Sequence, residues 1–436
     1  MALWVIELND TNICVSRDGK VVDSSPGIAV VNRKQVLTGL EAAAEQQLNP
    51  RAVYNRYWQQ LSEAPLLGAT RQVRHHADLA YHHLAAIMAR CGQPDEAIFA
   101  VPAHYGEPEL ALLLGICSAL KLKVGGLVDS NVAAVAATCA IGRYMLAEIY
   151  QHHVTLVEIE VDDTVTRRHV TIIDQSGLGR IEQACIDLIS DAFLEQSRFD
   201  PLHEAGTEQL LYTNLPAWMK QAGSGAELDI AIDYHGSRFA ARIDSREFER
   251  VAAMVLAPVA ERLDQDTTPL LSAALAALPG SQRQLANALR VPAGAGASGI
   301  AEHRLAIGGN SETVAFVTQL PATANPRLNA VTPRHVNATD AHTATHILYR
   351  GYATPLDSRP LYLGAGDEPS QSKSNGVAAN VSVENGEVVL QANGLEVDVN
   401  GARIAERCRL KPGDHIVVER GAAGFTAISV SNRSAS

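Results

Sequence analysis

The chain has 436 residues, of which 47% are hydrophobic and 19% charged, and its formal net charge is −12. This length exceeds what one hydrophobic core supports, so two to four domains are expected. The negative charge argues against nucleic acid or an anionic membrane as a partner. The sequence contains no apolar run of about eighteen residues, so no transmembrane helix is expected. The N-terminal MALWVIELND lacks the basic segment of a signal peptide. The six scattered cysteines, never in C-x-x-C spacing, favour free thiols in a cytoplasmic compartment over disulfides or a zinc site.

The first elements predict a strand meander followed by a helix. A strand over 2–8 precedes a hairpin that turns with type I′ chemistry at Asp18 and Gly19. The segment 71–92 has the apolar spacing of an amphipathic helix. It carries two histidine pairs, which are His75-His76 and His82-His83. Their spacing of seven residues separates them by about 10 Å, so they indicate a solvated helix face and not a metal site.

The middle of the chain alternates strands and helices. The run EAIFAVPA predicts a buried strand, PELALLLGICSALKL a buried helix, Val124–Val128 a strand and NVAAVAATCAIGRYM a small-residue helix. The segment 153–174 alternates with period two around Asp162 and Asp163, which predicts a hairpin. A further hairpin turns at His235-Gly236 before a helix that Ser245 caps.

The C-terminal part differs in composition. Residues 321–344 are rich in Pro, Asn, Thr and Ala without apolar periodicity, which predicts a linker. Short alternating strands separated by Asn-Gly turns then predict an all-β sandwich over 345–432.

Two meander-plus-helix units, one beginning near residue 3 and one near residue 154, indicate an internal duplication. The runs IELNDTNICV, LTGLEAAAEQQLNP and AVPAHYGEPELALLLGICSALKLKVGGLVDSNVAAVAA resemble, in order, segments of the nucleotide-binding domain of the DnaK-type heat-shock chaperones. The resemblance covers residues 3–320. It implies an α/β, two-lobed actin-like ATPase fold of duplicated ribonuclease-H-like units, with lobe I over 1–152 and lobe II over 153–320, followed by the C-terminal all-β sandwich.

The departures from this family concern the phosphate-binding hairpins. In the family the first hairpin carries an Asp and a Gly where this chain has Glu7 and Asn9, and Asp10 adds a further charge. The second hairpin, matched to EIEVDDTVTRR, has no glycine and carries Glu160, Asp162 and Asp163. Side chains at glycine positions occupy space, and carboxylates repel phosphate. The family's catalytic Glu falls on Ser130, so no catalytic residue is assigned.

Residual nucleotide contacts are the alternative interpretation of the same positions. The candidate residues are Asn9, Asp10, Thr11, Asn12, Asp162, Asp163, Thr164, Gly280 and Ser281. Gly280 and Ser281 lie in LPGSQRQL, which resembles the family's adenosine-side motif. As turn and loop residues without a ligand, all nine also have an ordinary structural explanation.

The C-terminal sandwich resembles a forkhead-associated domain. The resemblance rests on Asn400-Gly401 and on Gly413-Asp414 near its end. That family binds phosphothreonine, but here the corresponding loop carries Asp367 and Glu368 and lacks the family's Arg and Ser-His motifs. The sequence therefore predicts a protein-binding module that does not recognise phosphate.

Two functions remain open from the sequence. In the first, the chain is a non-chaperone, DnaK-like pseudo-ATPase that acts as a scaffold through a protein partner, without a cofactor or a metal. In the second, it is a nucleotide switch or slow ATPase that binds ATP or ADP with magnesium through Asp10, Glu160 or Asp162. Homo-oligomerisation stays open, and a cytoplasmic protein is expected. The carboxylate-rich hairpins favour the first function.

Overall fold

The computed structural model describes residues 2–66, 68–263, 267–285, 287–308, 314–324, 326–328, 344–349, 352–356, 359–364, 369–370, 377–384, 387–393, 397–400, 402–404, 406–418 and 425–428. These residues form a mixed α/β protein. The chain divides into two compact units, Met1–Pro333 and Arg334–Ser436.

The first unit contains both strands and helices. Its strands are β1 (Trp4–Glu7), β2 (Ile13–Arg17), β3 (Lys20–Ser25), β4 (Ala29–Val31), β5 (Val36–Thr38), β6 (Val53–Tyr54), β7 (Glu96–Val101), β8 (Lys123–Asp129), β9 (Gly142–Ile149), β10 (His153–Val161), β11 (Thr164–Asp174), β12 (Leu228–Tyr234), β13 (Ser237–Ile243), β14 (Thr268–Leu271), β15 (Leu289–Arg290), β16 (Phe316–Val317) and β17 (Gln319–Pro321). Its helices are α1 (Leu40–Ala43), α2 (His76–Cys91), α3 (Glu107–Ala119), α4 (Ser130–Ala136), α5 (Leu178–Ser197), α6 (Ala205–Ala222), α7 (Ser245–Arg262), α8 (Ala273–Ala276), α9 (Ser281–Gln284), α10 (Ala295–Glu302) and α11 (Arg304–Ile307), with a 3-10 helix at Pro50–Ala52.

The first sheet has the order β16-β8-β7-β1-β2-β3. Strands β1, β2 and β3 form an antiparallel meander, whereas β7 and β8 run parallel to β1. Asp18 and Gly19 turn the β2–β3 hairpin with φ of 49° and 76°, as a type I′ turn requires, so this prediction is confirmed. The central strand β7 is buried along almost its whole length, which fits a strand covered on both faces.

The second sheet has the order β15-β14-β9-β10-β11-β17. Strands β9, β10 and β11 form an antiparallel meander, and β14 and β15 run parallel to β9. Three antiparallel strands followed by two parallel strands therefore occur in the same order in both sheets. The β10–β11 hairpin over 153–174 is confirmed.

The second sheet begins one strand earlier than the sequence predicts. The sequence indicates a small-residue helix that continues through Met145 and a second unit that starts near residue 154. In the structure α4 ends at Ala136, and β9 starts at Gly142. Helix-forming residues such as Met145, Leu146 and Ala147 dominate the local propensity of this stretch, but pairing with β10 and β14 on both sides holds it extended.

Helices α4 and α10 cross in close contact between the two sheets. A Cβ atom at Gly299 would collide with the backbone of Ala133, so the crossing requires glycine there. Both helices belong to one apolar core that also contains Val5 of the first sheet and Leu146 and Ile159 of the second. No helix among the described residues has the length and apolar character that crossing a membrane requires.

The second unit is built from strands in its described part. These are β18 (His346–Tyr349), β19 (Tyr352–Pro355), β20 (Leu361–Gly364), β21 (Val377–Glu384), β22 (Glu387–Ala392), β23 (Val397–Val399), β24 (Ala402–Arg403), β25 (Arg407–Leu410), β26 (His415–Val418) and β27 (Phe425–Ile428). They form one sheet of order β19-β18-β27-β26-β23-β24 and a second of order β20-β21-β22-β25. Ile347, Leu363, Val381 and Phe425 contribute to a single core.

The end of the first unit includes part of the predicted linker 321–344. Pro321 pairs with Thr164, and the backbone N–H of Leu328 donates to Thr138 O at 2.7 Å. Residues 329–343 lie outside the described part of the chain, as do Asp367, Glu368 and Gly401 of the sandwich.

Candidate functional site

Two hairpin turns meet in the first unit, one from each sheet. The first turn follows β1 and contains Asn9 and Asp10, and the second joins β9 to β10 around Gln151. The backbone N–H of Gln151 donates to Asp10 Oδ1 at 2.8 Å. Asn9 Nδ2 donates to Ile149 O at 3.0 Å and to Glu148 Oε1 at 3.3 Å. The two turns are therefore joined directly by protein hydrogen bonds, and this junction is called the hairpin contact.

The first turn is shaped by its own polar side chains. The backbone N–H and the hydroxyl of Thr11 both donate to Asn9 Oδ1, at 3.0 and 2.7 Å. This is the Asx-type turn that Asn favours. Asn12 Oδ1 accepts from the Ser24 hydroxyl at 2.7 Å, which ties the turn to β3. The amide group of Asn9 consequently has its oxygen in the turn and its nitrogen on the second sheet.

Glu148 lies at the centre of this contact. Besides Asn9, its carboxylate accepts from the Tyr150 hydroxyl at 3.3 Å and from Ser130 Oγ at 3.5 Å. Removal from water raises the pKa of Glu148 to about 7, and the hydrogen bond from Asn9 opposes this shift. The carboxyl group thus holds its proton to a higher pH than a carboxyl group in water does.

Asp10 is almost fully buried, with 5% of its surface exposed. Burial raises its pKa to about 6, and the hydrogen bond from the backbone of Gln151 opposes the shift. Its second oxygen, Oδ2, has no hydrogen-bond partner in the structure. A buried unpartnered oxygen favours the protonated acid, which agrees with the direction of the pKa shift.

Glu7, at the end of β1, places a further carboxylate close enough to Glu148 to help raise the pKa of Glu148. It accepts a hydrogen bond from the backbone N–H of Ala297 in the first turn of α10, and burial raises its pKa. A Cβ atom at Gly296 would collide with Glu7 Oε1, so glycine is needed for this approach. The helix N-terminus, a position that suits an anion, is therefore filled by an internal carboxylate.

Asp129 and Arg167 add an ion pair between the sheets, in which the carboxylate is buried and the guanidinium is partly exposed. Arg167 Nη1 donates to Asp129 Oδ2 at 2.7 Å and to Ala103 O at 2.9 Å. Asp129 also caps α4 by accepting from the backbone of Asn131 and Val132. Its pKa is raised by burial, and the guanidinium opposes that shift.

The cavity beside the hairpin contact has room for about one water molecule. Its volume is about 10 Å³, and its lining includes Asp10, Trp58, His104, Tyr105 and Tyr150. A phosphate group is several times larger than this space. The cavity therefore has no room for a phosphate group.

One imidazole, that of His104, lines this cavity, and His153 packs behind it against His104 and Tyr150. The ring of His153 stacks on Tyr150 with centroids 4.7 Å apart, and its Nδ1 accepts from Gln59 Nε2 at 3.2 Å. His152 Nε2 donates to Asn55 O at 3.0 Å. Burial lowers the pKa of His153 to about 4 and that of His104 to about 3. These rings consequently supply no positive charge for phosphate at neutral pH.

Within the first unit, a second contact joins the segment around α1 to α6. Gln209 of α6 is buried, and its Nε2 donates to Ala43 O at 2.9 Å. Its Oε1 accepts from the backbone N–H of Gln47 at 2.9 Å. One glutamine thus satisfies an acceptor and a donor of the chain around α1 and holds that segment against α6.

One histidine of the predicted solvated pairs is buried, so that prediction is wrong for His83. This residue has no exposed surface, because it lies on the face of α2 that also buries Leu79, Ala80 and Ile87. Trp58 Nε1, which can only donate, bonds to its Nδ1 at 3.1 Å, and Nε2 lies 2.7 Å from Ser25 Oγ. The neutral ring therefore carries its proton on Nε2 and cannot act as a base towards Ser25.

The sequence predicts the β10–β11 turn as the second phosphate hairpin. In the structure this turn bonds within itself and to the segment around Gln319 and Ala322. Asp162 is exposed and accepts from the backbone N–H of Thr164 at 2.7 Å, which lowers its pKa. Asp163 O accepts from Ala322 N, and Thr164 Oγ1 accepts from Gln319 Nε2 at 2.9 Å. The turn that contacts the first hairpin is instead the β9–β10 turn.

The predicted adenosine-side residues lie at the start of α9. Gly280 has φ of +70°, and Ser281 is fully buried with its hydroxyl donating to Leu278 O at 2.9 Å. Gly280 borders an open groove of about 590 Å³ that is also lined by Lys220, Arg283 and Arg290. Because Ser281 is buried and its hydroxyl bonds to the backbone of Leu278, it is not accessible to a ligand. Gly280 can contact a ligand through the groove that it lines.

The described residues contain no group of three or more His, Cys, Asp or Glu side chains placed to hold a metal ion. All six cysteines are free thiols.

A scan against protein-family models and a search of curated proteins return no match for this chain. The geometry of the site is therefore the basis for a functional assignment.

Proposed function

We propose that the chain is a DnaK-like pseudo-ATPase whose actin-like, two-lobed domain is held closed by its own side chains. The repeated strand order of the two sheets and the crossing of α4 with α10 support this fold. In this proposal lobe I carries the first sheet and lobe II carries the second. The domain acts as a fixed scaffold for a protein partner and uses no nucleotide.

The hairpin contact is the observation that carries this proposal. In a nucleotide switch the two hairpins approach each other through the phosphates that both of them bind. Here Asp10 accepts directly from Gln151, Asn9 bridges to Glu148, and the remaining cavity holds about one water molecule. The residues present do not fit phosphate, because they fill its space and bring carboxylates to it.

The second unit adds a binding module to the scaffold. Its two packed sheets and its single core support the forkhead-associated-like interpretation, and Asn400, with φ of +52°, donates to Asp414 Oδ1 at 2.8 Å. A sandwich with tight turns is a rigid platform for protein contacts. We propose that it binds a protein without requiring phosphate.

An ATP- or ADP-binding switch is the second candidate function. The open groove beside Gly280 favours it, because Lys220, Arg283 and Arg290 give this groove a cationic lining. Arg283 Nη1, however, already pairs with Glu249 Oε2 at 2.7 Å. In this alternative the groove would hold the nucleoside while the phosphates stay outside the closed hairpin contact.

Calorimetric titration of the full chain with ATP and magnesium separates the two functions. The pseudo-ATPase predicts no binding heat up to about 1 mM ATP and a change in melting temperature below about 1 °C. Saturable binding in the micromolar range would contradict it and support the switch. If binding occurs, loss of affinity in the Arg290→Ala variant would locate the nucleotide in the groove beside Gly280.

A further inference from the structure

Helix α7 carries two apolar stripes. The stripe that faces the core consists of Phe248, Ala252, Leu256 and Val259. A second stripe, called the outer stripe, consists of Val251, Met254, Val255 and Pro258. Val251 and Val255 are half-buried and also pack against the core, and Met254 is the exposed member of the stripe. The spacing i, i+3, i+4 and i+7 places these four side chains along one side of the helix over about two turns. Met254 is 66% exposed, which is a large apolar side chain to leave in water.

The outer stripe forms one wall of a groove between α5 and α7. This α5–α7 groove has a volume of about 550 Å³. Its opposite wall is polar and consists of Arg180, Gln183 and Asp187 of α5, with Asp174 at the end of β11. The wall on α7 is thus apolar, and the opposite wall is polar except at Ala184.

Charge on the polar wall favours a cationic ligand. Asp187 accepts from Gln183 Nε2 at 2.9 Å, and no ion pair is recorded for Asp174 or Asp187 within the described part of the chain. The two carboxylates outnumber the single guanidinium of Arg180 on this wall. A basic group of a ligand would therefore be attracted to this wall more strongly than an acidic group.

The walls of the groove also decide the conformation of the ligand. Along α5 and α7 the backbone groups are bonded within the helices, so this part of the groove offers side chains and no free strand edge. An added β-strand would find no backbone partners there. A helix needs only an apolar stripe to pack against Met254 and a polar flank towards α5, which is the helix-in-groove mode of recognition. Methionine suits this role because its side chain adapts to the surface of a partner.

We propose that the α5–α7 groove docks an amphipathic helix of a protein partner, with the partner's apolar stripe on the outer stripe and its basic flank on Asp174 and Asp187. The inference rests on the proposed scaffold function, for which it names the surface and the chemistry of the partner. It does not depend on whether the hairpin contact excludes nucleotide.

A designed peptide tests this docking. The probe is a fluorescently labelled amphipathic helix of Leu and Lys, compared with the same sequence in which Glu replaces Lys. We expect the Leu/Lys peptide to bind the full chain with a dissociation constant of about 100 µM or tighter at physiological salt, and the Leu/Glu peptide to bind at least about tenfold more weakly. Absence of Leu/Lys binding would contradict the proposal.

Met254→Glu separates docking from general charge attraction. This substitution makes the chain more negative, so it would strengthen non-specific binding of a cationic peptide, but it places a charge in the apolar contact. We expect affinity for the Leu/Lys peptide to fall about tenfold or more. Leu305→Glu is the matched control, since Leu305 is 92% exposed on α11, and this variant should bind like the parent. Equal binding by the parent and both variants would overturn the proposal.

Two further readouts identify the site and the occupant. In methyl NMR of labelled methionine, the Met254 signal should shift on addition of the Leu/Lys peptide, and an unchanged Met254 signal would contradict docking in the groove. Sedimentation of the chain alone tests self-association. A dimer that Met254→Glu abolishes would assign the groove to a second copy and overturn the partner-helix proposal. Adding ATP with magnesium to the titration shows whether the scaffold function fails independently of the docking.

Discussion

Replacement of His83 by alanine is expected to lower the free energy of unfolding of the full chain by about 4 kcal/mol, the largest effect of a single side chain that we predict. The ring is fully buried, and it bonds to Ser25, Tyr57 and Trp58 at 2.7 to 3.1 Å. Alanine would leave three buried polar groups unpaired and open a cavity between α2 and the segment that contains Trp58. Denaturant unfolding followed by tryptophan fluorescence measures this loss.

The neighbouring histidine provides a matched control. His82 is partly exposed and makes a long hydrogen bond of 3.4 Å to Gln72 O and an edge-on ring contact with Tyr81, so His82→Ala should cost less than about 1 kcal/mol. If His83→Ala unfolded at the same denaturant concentration as His82→Ala, the buried hydrogen-bond centre around His83 would be refuted. Loss of folding in His83→Ala alone agrees with the prediction, and His83→Gln, which keeps a polar group, should recover part of the stability.

The second large effect is a pH-dependent gain of stability in Asp10→Asn. Burial raises the pKa of Asp10 from its usual 3.8 to about 6 in the folded chain. Below the pKa of Asp10 in the unfolded chain, this group does not lower the free energy of unfolding. The free energy of unfolding then falls as the pH rises through about 6, because the unfolded chain ionises this carboxyl more readily than the folded chain does. Asparagine keeps the acceptor for the backbone N–H of Gln151 and removes the buried charge. Relative to the parent, Asp10→Asn should therefore gain stability between about pH 4 and pH 7, reaching about 3 kcal/mol.

The comparison with the parent is essential because other groups titrate with the opposite sign. The lowered pKa values of His104 and His153 reduce stability as pH falls below about 6.5, in parent and variant alike. Asp162→Asn is the control, since the pKa of this exposed carboxyl is lowered and its replacement should bring no gain with rising pH. A constant difference between Asp10→Asn and the parent from about pH 4 to pH 8 would show that Asp10 is not buried as a raised-pKa acid.

Much of the framework could be predicted because its signals are local. The Asp18-Gly19 turn, the strand EAIFAVPA and the hairpin over 153–174 follow from turn chemistry and from apolar periodicity. That polar side chains build the turn of the first hairpin also follows from its sequence, because Asn9 and Asp10 are turn-forming residues and not glycines. Their polar contacts with the β9–β10 turn could not be predicted from the sequence, since that turn lies about 140 residues away.

The partner hairpin was missed because tertiary pairing overrides local preference there. The stretch that includes Met145, Leu146 and Ala147 has the composition of a helix, yet it forms the central strand β9. Moving the first strand of the second sheet to β9 also moves its turn to Tyr150 and Gln151. His83 shows a related effect: its spacing from Leu79 and Ile87 signals a buried face, but a pair of histidines indicates a solvated one. The apolar spacing was the more informative signal.

Hydrogen exchange at the backbone amide of Gln151, with and without ATP and magnesium, tests most directly whether the hairpin contact is closed without nucleotide. This amide donates to Asp10 Oδ1 at 2.8 Å across the hairpin contact. The account predicts slow exchange in the nucleotide-free chain, no change on adding about 1 mM ATP, and faster exchange in Asp10→Ala. Fast exchange without nucleotide that becomes slow when ATP is added would contradict it, because the hairpins would then close on phosphates and not on each other.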